Sequence, residues 1–208
     1  MVLPPKKIGA SPACRFDLWR RVIKLKGKDI YLDTLTREDC KALWNATEYD
    51  FQNPTEDLKL GLSDEKAEVW FEEIQALQGS QNVRLGIFGK NGIVIGDIAL
   101  QKIDRVNRKF SIGMGIARVK DRAQGFGQQA VKLMLKYGFE FLGMERICAN
   151  TLSMNVGAQK ALEKCGFILE GRERESVYLN GRKYDRLNYA ILKSEYIDQM
   201  QEWQNDWL

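Results

Sequence analysis

The chain reads as an α+β protein: a mixed, mostly antiparallel sheet flanked by helices on both faces. Three observations predict it. Runs of period-two alternation and runs of helical period follow one another as β-α-α-β-β-β-α-β-α-β-β, an antiparallel meander followed by strand–helix units. Two Asn-Gly pairs, Asn91-Gly92 and Asn180-Gly181, stand between strand-like runs, and Asn-Gly is the strongest short hairpin signal. A strand at Phe110 to Ala117 leads through the glycine-bearing turn Arg122-Ala123-Gln124-Gly125-Phe126-Gly127 into a helix.

Residues 1–28 carry Pro4, Pro5 and Pro12 and mixed charges and read as an N-terminal extension. Phe16, Leu18 and Trp19 are apolar for a free tail, so that part has the means to dock. Residues 29–208 read as a single domain ending in a helix. Its first strand lies within Lys28 to Leu35. Thr36 then caps a helix, with Asp39 at the reciprocal capping-box position and Cys40, Leu43 and Trp44 on the apolar face. Glu48 to Gly61 holds Pro54 and no clean period, hence a loop. Its acids and aromatics (Glu48, Tyr49, Asp50, Phe51, Glu56, Asp57) fit either a solvated acidic loop or the lining of a site for a cationic amine.

Ser63 is placed to cap a second helix, whose buried stripe is Ala67, Trp70, Phe71, Ile74 and Leu77 and whose stop is Gly79. Val83 to Phe88, Ile93 to Ile103 and Phe110 to Ala117 form the antiparallel meander. Gly113 and Gly115 in the third of these strands mark a bulge or the close approach of a ligand. After the glycine turn, Ala130, Leu133, Met134 and Tyr137 recur at helical spacing. Arg146 to Thr151 is a short strand. Asn155 to Cys165 is a helix with Ala158, Ala161, Leu162 and Cys165 inward and Gly166 as its stop. Phe167 to Leu179 and Arg182 to Leu192 form the last hairpin. From Ser194 an amphipathic helix carries Tyr196, Met200, Trp203 and Trp207, to pack on the body or on a second chain, so a homodimer stays open.

Composition narrows the function classes. With 32 basic and 28 acidic residues, the net charge of +4 is too balanced to call for nucleic acid. The chain has no histidine, and its cysteines, Cys14, Cys40, Cys148 and Cys165, form no C-x-x-C, so neither a metal site nor a disulfide framework is expected. No secretory leader and no long apolar run appears, which leads to the expectation of a cytoplasmic protein without membrane contact. The sequon at Asn45 is read as chance in that setting.

The glycine turn is where chemistry concentrates. First-turn helix amides lack intrahelical partners, the helix dipole adds positive potential, glycines admit an anion close to the backbone, and Arg122 adds full charge. Gly125-Phe126-Gly127-Gln128-Gln129-Ala130 spells the dinucleotide fingerprint G-x-G-x-x-A. That reading expects an acid at the end of the next strand, whereas Glu145 opens it.

Read as R-x-x-G-x-G after a strand, the turn resembles the acetyl-coenzyme A pyrophosphate loop of the GNAT superfamily of N-acetyltransferases. Asn155-Val156-Gly157-Ala158 followed by Glu163-Lys164-Cys165-Gly166-Phe167 resembles that superfamily's N-x-x-A/S … E-K-x-G-F signature. Tyr178-Leu179-Asn180-Gly181, then Tyr184-Asp185 and Tyr189-Ala190, is similar to the RimJ/RimL branch, which acetylates ribosomal-protein N-termini, and to polyamine acetyltransferases. The resemblance runs from about Ile30 to Tyr196. It implies acetyl-CoA as co-substrate, an amine acceptor, no metal, and a sheet that splays to admit the coenzyme. It further implies that Arg122 and the amides of Gln124, Gly125, Phe126, Gly127 and Gln128 meet the pyrophosphate. Amides at Ile116 and Ala117 would pair with the pantetheine arm, and Asn155 and Ala158 would lie at cofactor-contacting positions; Asn155 fits a helix N-cap equally well.

The chain departs from the family where proton transfer is expected. Leu162 occupies the position of the usual tyrosine acid, Ala158 that of the branch's serine, and Ser111 that of a frequent strand acid. Asp97 as base and Ser153 or Tyr184 as donor are the remaining candidates, beside direct attack with proton loss relayed by water. Two functions follow: an N-acetyltransferase working by direct transfer in a ternary complex, or a non-catalytic acyl-CoA-binding sensor or scaffold.

Overall fold

A computed structural model of the chain describes residues 23–50 and 63–207, with Trp203 the last side chain it describes. The expectations for residues 1–22, for Phe51, Pro54, Glu56 and Asp57, and for the Trp207 side chain lie outside the described residues. Eight strands form one sheet in the order β1-β2-β3-β4-β5-β6-β8-β7. They are β1 (Leu25–Lys26), β2 (Ile30–Asp33), β3 (Val83–Gly89), β4 (Val94–Asp104), β5 (Lys109–Ile116), β6 (Arg146–Leu152), β7 (Ile168–Leu179) and β8 (Arg182–Leu192). The helices are α1 (Arg37–Ala46), α2 (Asp64–Leu77), α3 (Phe126–Lys136), α4 (Val156–Lys164) and α5 (Lys193–Trp207). Every strand pair is antiparallel except β5–β6. The sheet begins before Lys28, because Leu25 and Lys26 pair with Leu32 and Tyr31.

Local chemistry sets the boundaries. Thr36 accepts from the Asp39 amide at 3.1 Å while Asp39 accepts from the Thr36 amide at 2.9 Å, so the capping box forms despite the short acid. Ser63 stands at the N-cap of α2 but makes no side-chain cap bond, against expectation. In the β7–β8 turn Asn180 and Gly181 both have positive φ, 51° and 75°, the conformation that selects Asn-Gly. Past Lys136 the chain widens into a single π turn, Tyr137–Phe141. Gly138 in that turn lies against the Phe110 ring, where a Cβ would collide, so the residue has to be glycine for helix and strand to meet.

Both faces of the sheet are covered. The larger core joins Leu32, Leu85, Ile87, Ile98, Leu100, Phe110 and Ile147 of the strands to Ala130, Leu133 and Met134 of α3, Leu162 of α4 and Tyr196 of α5. Each large apolar side chain buried there contributes roughly 1.5–3 kcal/mol. The smaller core, with Cys40 and Leu43 of α1, Ile74 of α2 and Phe88, Val94 and Ala117 of the sheet, covers the other face. Gln129 orients α3 on the sheet: its side chain accepts from the Asp29 amide and donates to the Asp29 carboxylate, both at 3.0 Å.

The parallel pair β5–β6 is short. It holds only for Lys109 with Arg146, Phe110 with Ile147 and Ser111 with Cys148. Beyond Ser111, β5 stays with β4 as far as Ile116, and β6 stays with β8 as far as Leu152. Each strand follows its antiparallel partner and the sheet opens between them.

Candidate active site

Three elements frame the opening: β5 with the turn that follows it, the start of α4, and the segment Glu48–Asp50 after α1. Along β5 the side chains alternate. Phe110 and Ile112 enter the larger core, whereas Ser111, Gly113 and Gly115 face the α1–α2 side with almost no bulk. The Ala117 amide donates to the Ile95 carbonyl on β4 at 2.9 Å. This corrects the expectation that Ala117 offers its amide to a pantetheine arm: that amide is spent inside the sheet. By strand alternation, Met114 and Ile116 direct their amides to the opening.

The turn into α3 has the form of an anion cradle. Ala123 has φ 58°, and Gly125, at the N-cap of α3, has φ 83° and ψ −5°. The first helical bond runs from the Gln129 amide to the Gly125 carbonyl at 3.1 Å, so the amides of Phe126, Gly127 and Gln128 precede any intrahelical acceptor. No acidic residue stands in this first turn. The Gln124 side chain donates back to the Lys120 carbonyl at 2.7 Å and braces the turn. A Cβ on Gly127 would lie 2.5 Å from the Met114 methyl, so the glycine lets helix and strand approach. This backbone fits an acetyl-CoA pyrophosphate by its own geometry.

Arg122 is placed differently from expectation. Its guanidinium pairs with Asp50 at 3.0 Å, donates to the Glu48 carbonyl at 3.1 Å and to the Ile116 carbonyl at 3.3 Å. The Glu48 amide donates to the Ala117 carbonyl at 2.9 Å, and the Glu48 carboxylate accepts from the Val119 amide at 2.8 Å. On the other side Tyr49 accepts from the Asn180 side chain at 2.7 Å, which joins the α1 end to the β7–β8 turn across the opening. Apart from the Arg122–Ile116 bond, these contacts carry no local signal in the chain, because they link residues about 70 or more positions apart.

The candidate proton-transfer residues fall into two places. Asp97 on β4 faces Gly115 across the β4–β5 pairing and is ion-paired with Arg84, whose guanidinium lies 5.8 Å from the centre of the Trp70 ring. Side-chain exposures of 18% for Asp97 and 21% for Arg84 make this a largely buried pair. Ser153 and Tyr184 lie on the far side of the opening. Ser153 is in the turn after β6, its amide bonded to the Asp185 carbonyl at 2.9 Å, and Tyr184 packs with Met154 against Leu152, Val177 and Leu179. Asn155 caps α4, accepting from the Ala158 amide at 3.0 Å, so the Ala158 amide is committed to the cap. Leu162 is buried in the larger core.

The thiols divide as well. Burial pushes Cys40 and Cys165 up to about 12, as expected of core thiols. Cys148 is only partly buried, at the last paired position before the strands part, and does not share their packing. Among the described residues no cluster of three or more metal-capable side chains occurs, and no helix is long and apolar enough to cross a membrane.

A mostly antiparallel sheet that parts beside a glycine-led helix start is the arrangement that the resemblance to GNAT proteins implies. Residues 29–168 match the acetyltransferase (GNAT) domain model, and the chain belongs to that family. The putative ribosomal N-acetyltransferase YdaF of Bacillus subtilis is 33% identical over 106 residues, 51% of this chain and 57% of that protein. The spermidine N(1)-acetyltransferase of Vibrio cholerae is 30% identical over 105 residues, 50% of this chain and 60% of that protein. The matches thus span less than two thirds of these relatives. A chimera of the Vibrio cholerae spermidine N-acetyltransferase SpeG superposes with a TM-score of 0.73 at 23% identity, over 82% of this chain and 99% of that one, which shows the fold.

Proposed function

We propose that the chain transfers the acetyl group of acetyl-CoA to a primary amine by direct attack in a ternary complex. The observation that carries the reading is the parting of β5 from β6 beside the Gly125 turn: one gap offers amides to an anion at its end and to an extended arm along its edge. Amides 124–128 hold the pyrophosphate, and the Met114 and Ile116 amides orient the arm. The amine nitrogen bonds to the thioester carbonyl carbon as the carbon–sulfur bond breaks. The amine's proton leaves through water toward Asp97, beside the bulk-free strip at Gly113 and Gly115. The sulfur takes a proton from water or from Ser153 or Tyr184 on the far flank. Bringing the amine against a fixed thioester is the main source of acceleration.

For the acceptor we favour a protein N-terminus, supported by the likeness to YdaF and the Y-L-N-G hairpin tip. A polyamine has the likeness to the Vibrio enzyme in its support. The acidic loop supports it less, since the Glu48 and Asp50 carboxylates are already engaged with Val119 and Arg122. A thiol-release assay with acetyl-CoA against ribosomal-protein N-terminal peptides, spermidine and an aminoglycoside tests the proposal. Release that depends on a peptide supports the reading, and release with spermidine alone moves the acceptor class. Coenzyme binding without release for any amine turns the weight to an acyl-CoA sensor.

A further inference from the structure

We infer that Arg122 and Asp50 form a latch that ties the acceptor side of the site to the coenzyme side, so that they are positioning residues and not pyrophosphate ligands. The inference rests on the acetyltransferase reading and deepens it. Arg122 opens the anion-binding turn, yet every nitrogen of its guanidinium is directed into the protein. Its ion-pair partner Asp50 is 15% exposed and Arg122 itself 31%, so the pair is partly withdrawn from solvent. Its charge and three of its five N–H groups are thus matched within the protein, which weakens its pull on an external anion. The turn's own amides are then the anion ligands, and they need no side chain.

The contacts make a closed path. The end of β5 holds Glu48 through the Ala117 carbonyl; Glu48 holds the turn through the Val119 amide; Asp50 holds Arg122; and Arg122 returns to the Ile116 carbonyl at the end of β5. Tyr49, between the two acids, reaches the hairpin tip through Asn180. Fixing the turn around a pyrophosphate therefore fixes Arg122, and through it the segment Glu48–Asp50. Coupling of this kind is reciprocal: whatever free energy the coenzyme lends to ordering Glu48–Asp50, an acceptor held there returns to coenzyme binding.

The test uses the full chain with CoA as the probe. Affinity is read by calorimetry, and amide exchange of the peptide covering residues 43–50 is read with and without CoA. In the parent chain CoA slows exchange in that peptide. Asp50→Asn and Arg122→Gln each weaken CoA about fivefold, the double variant is no weaker than either single one, and the transmitted protection vanishes in all three. Asp50→Glu keeps the charge and keeps the protection, which separates the latch from general loss of fold, as does an unchanged far-ultraviolet dichroism spectrum. Two results overturn the latch: protection that persists in Asp50→Asn, or an Arg122→Gln loss roughly tenfold beyond that of Asp50→Asn, the mark of a direct anion ligand. A parent chain that binds no CoA overturns the acetyltransferase reading itself, a failure distinct from CoA binding without transmitted protection.

Discussion

The two flanks of the β5–β6 opening are held by different means. On the β5 flank the parts are bound through the backbone: Ala117 to Ile95 and Glu48, Arg122 to the carbonyls of Ile116 and Glu48. On the β6 flank side-chain packing carries more of the load: Leu152, Val177 and Leu179 gather Met154 and Tyr184, beside the Ser153–Asp185 backbone bond and the Asn155 cap. A phosphate anion is met by amides, which every residue supplies, so the first flank needs particular backbone angles more than particular side chains. The second flank is shaped by packed side chains, so it is free to vary in residue type while keeping its shape. Substitutions should therefore act through conformation on one flank and through packing on the other.

The largest expected effect is Gly125→Val. A β-branched residue at φ 83° is a steric outlier, and it distorts the turn that presents the amides. CoA affinity measured by calorimetry should fall by about 100-fold or more while the fold persists. Gly127→Ala is milder, because the colliding atom is the end of a flexible methionine; Met114→Ala in the same chain should restore affinity. If Gly125→Val binds CoA as the parent does, the flank does not work through its backbone.

Next in size is Arg84→Met. Removing one partner of a largely buried ion pair leaves Asp97 without its counter-charge, which costs about 3 kcal/mol in urea unfolding. Asp97→Asn separates structure from chemistry: if Asp97 receives the amine proton, kcat falls more than KM rises, whereas a purely structural pair changes stability and leaves kcat alone.

Alkaline pH probes the cores behind each flank. Cys40 under α1 and Cys165 at the end of α4 are pushed up to about 12 by burial, against roughly 8.5 for an unfolded thiol. The folded chain holds these protons more tightly than the unfolded one. Their contribution is therefore complete below about pH 8.5 and is lost as pH rises toward 12. Thermal melts from pH 8 to 11 should show a decline that Cys40→Ala with Cys165→Ala reduces. Of the three described thiols, Cys148 should be the first to react with a maleimide at pH 8.

What was legible in the sequence follows the same division. Periodicity, Asn-Gly turns and the capping box depend on neighbours in the chain, and, β1 apart, the strands, the helices and the glycine turn stand where those signals place them. The assignment of Ala117 failed because strand parity relative to β4, which decides where an amide points, is not written in residue type. The Arg122 contacts were not legible because Glu48 and Asp50 lie in a segment with no periodicity, more than seventy residues away. Asp97 read as a candidate base from its strand, but its pairing with Arg84 depends on the β3–β4 register. Leu162, by contrast, was legible as an inward α4 residue, and it is buried in the larger core.

Smaller effects sharpen the contrast. Asn155→Ala removes the α4 cap and should cost about 1 kcal/mol of stability. If Asn155 serves only as a cap, CoA affinity stays within about twofold of the parent, and a larger loss would give it a ligand role as well. The smallest concerns the bond from Asn180 to Tyr49 across the opening. Tyr49→Phe removes an exposed hydrogen bond of roughly 0.5–1 kcal/mol, too little to disturb the fold. Because it joins the backbone-held flank to the side-chain-held one, its loss should raise the acceptor KM several-fold and leave CoA affinity as it was. An unchanged acceptor KM would mean that the flanks hold their acceptor geometry independently, and that the Asp50–Arg122 contacts alone order the segment between them.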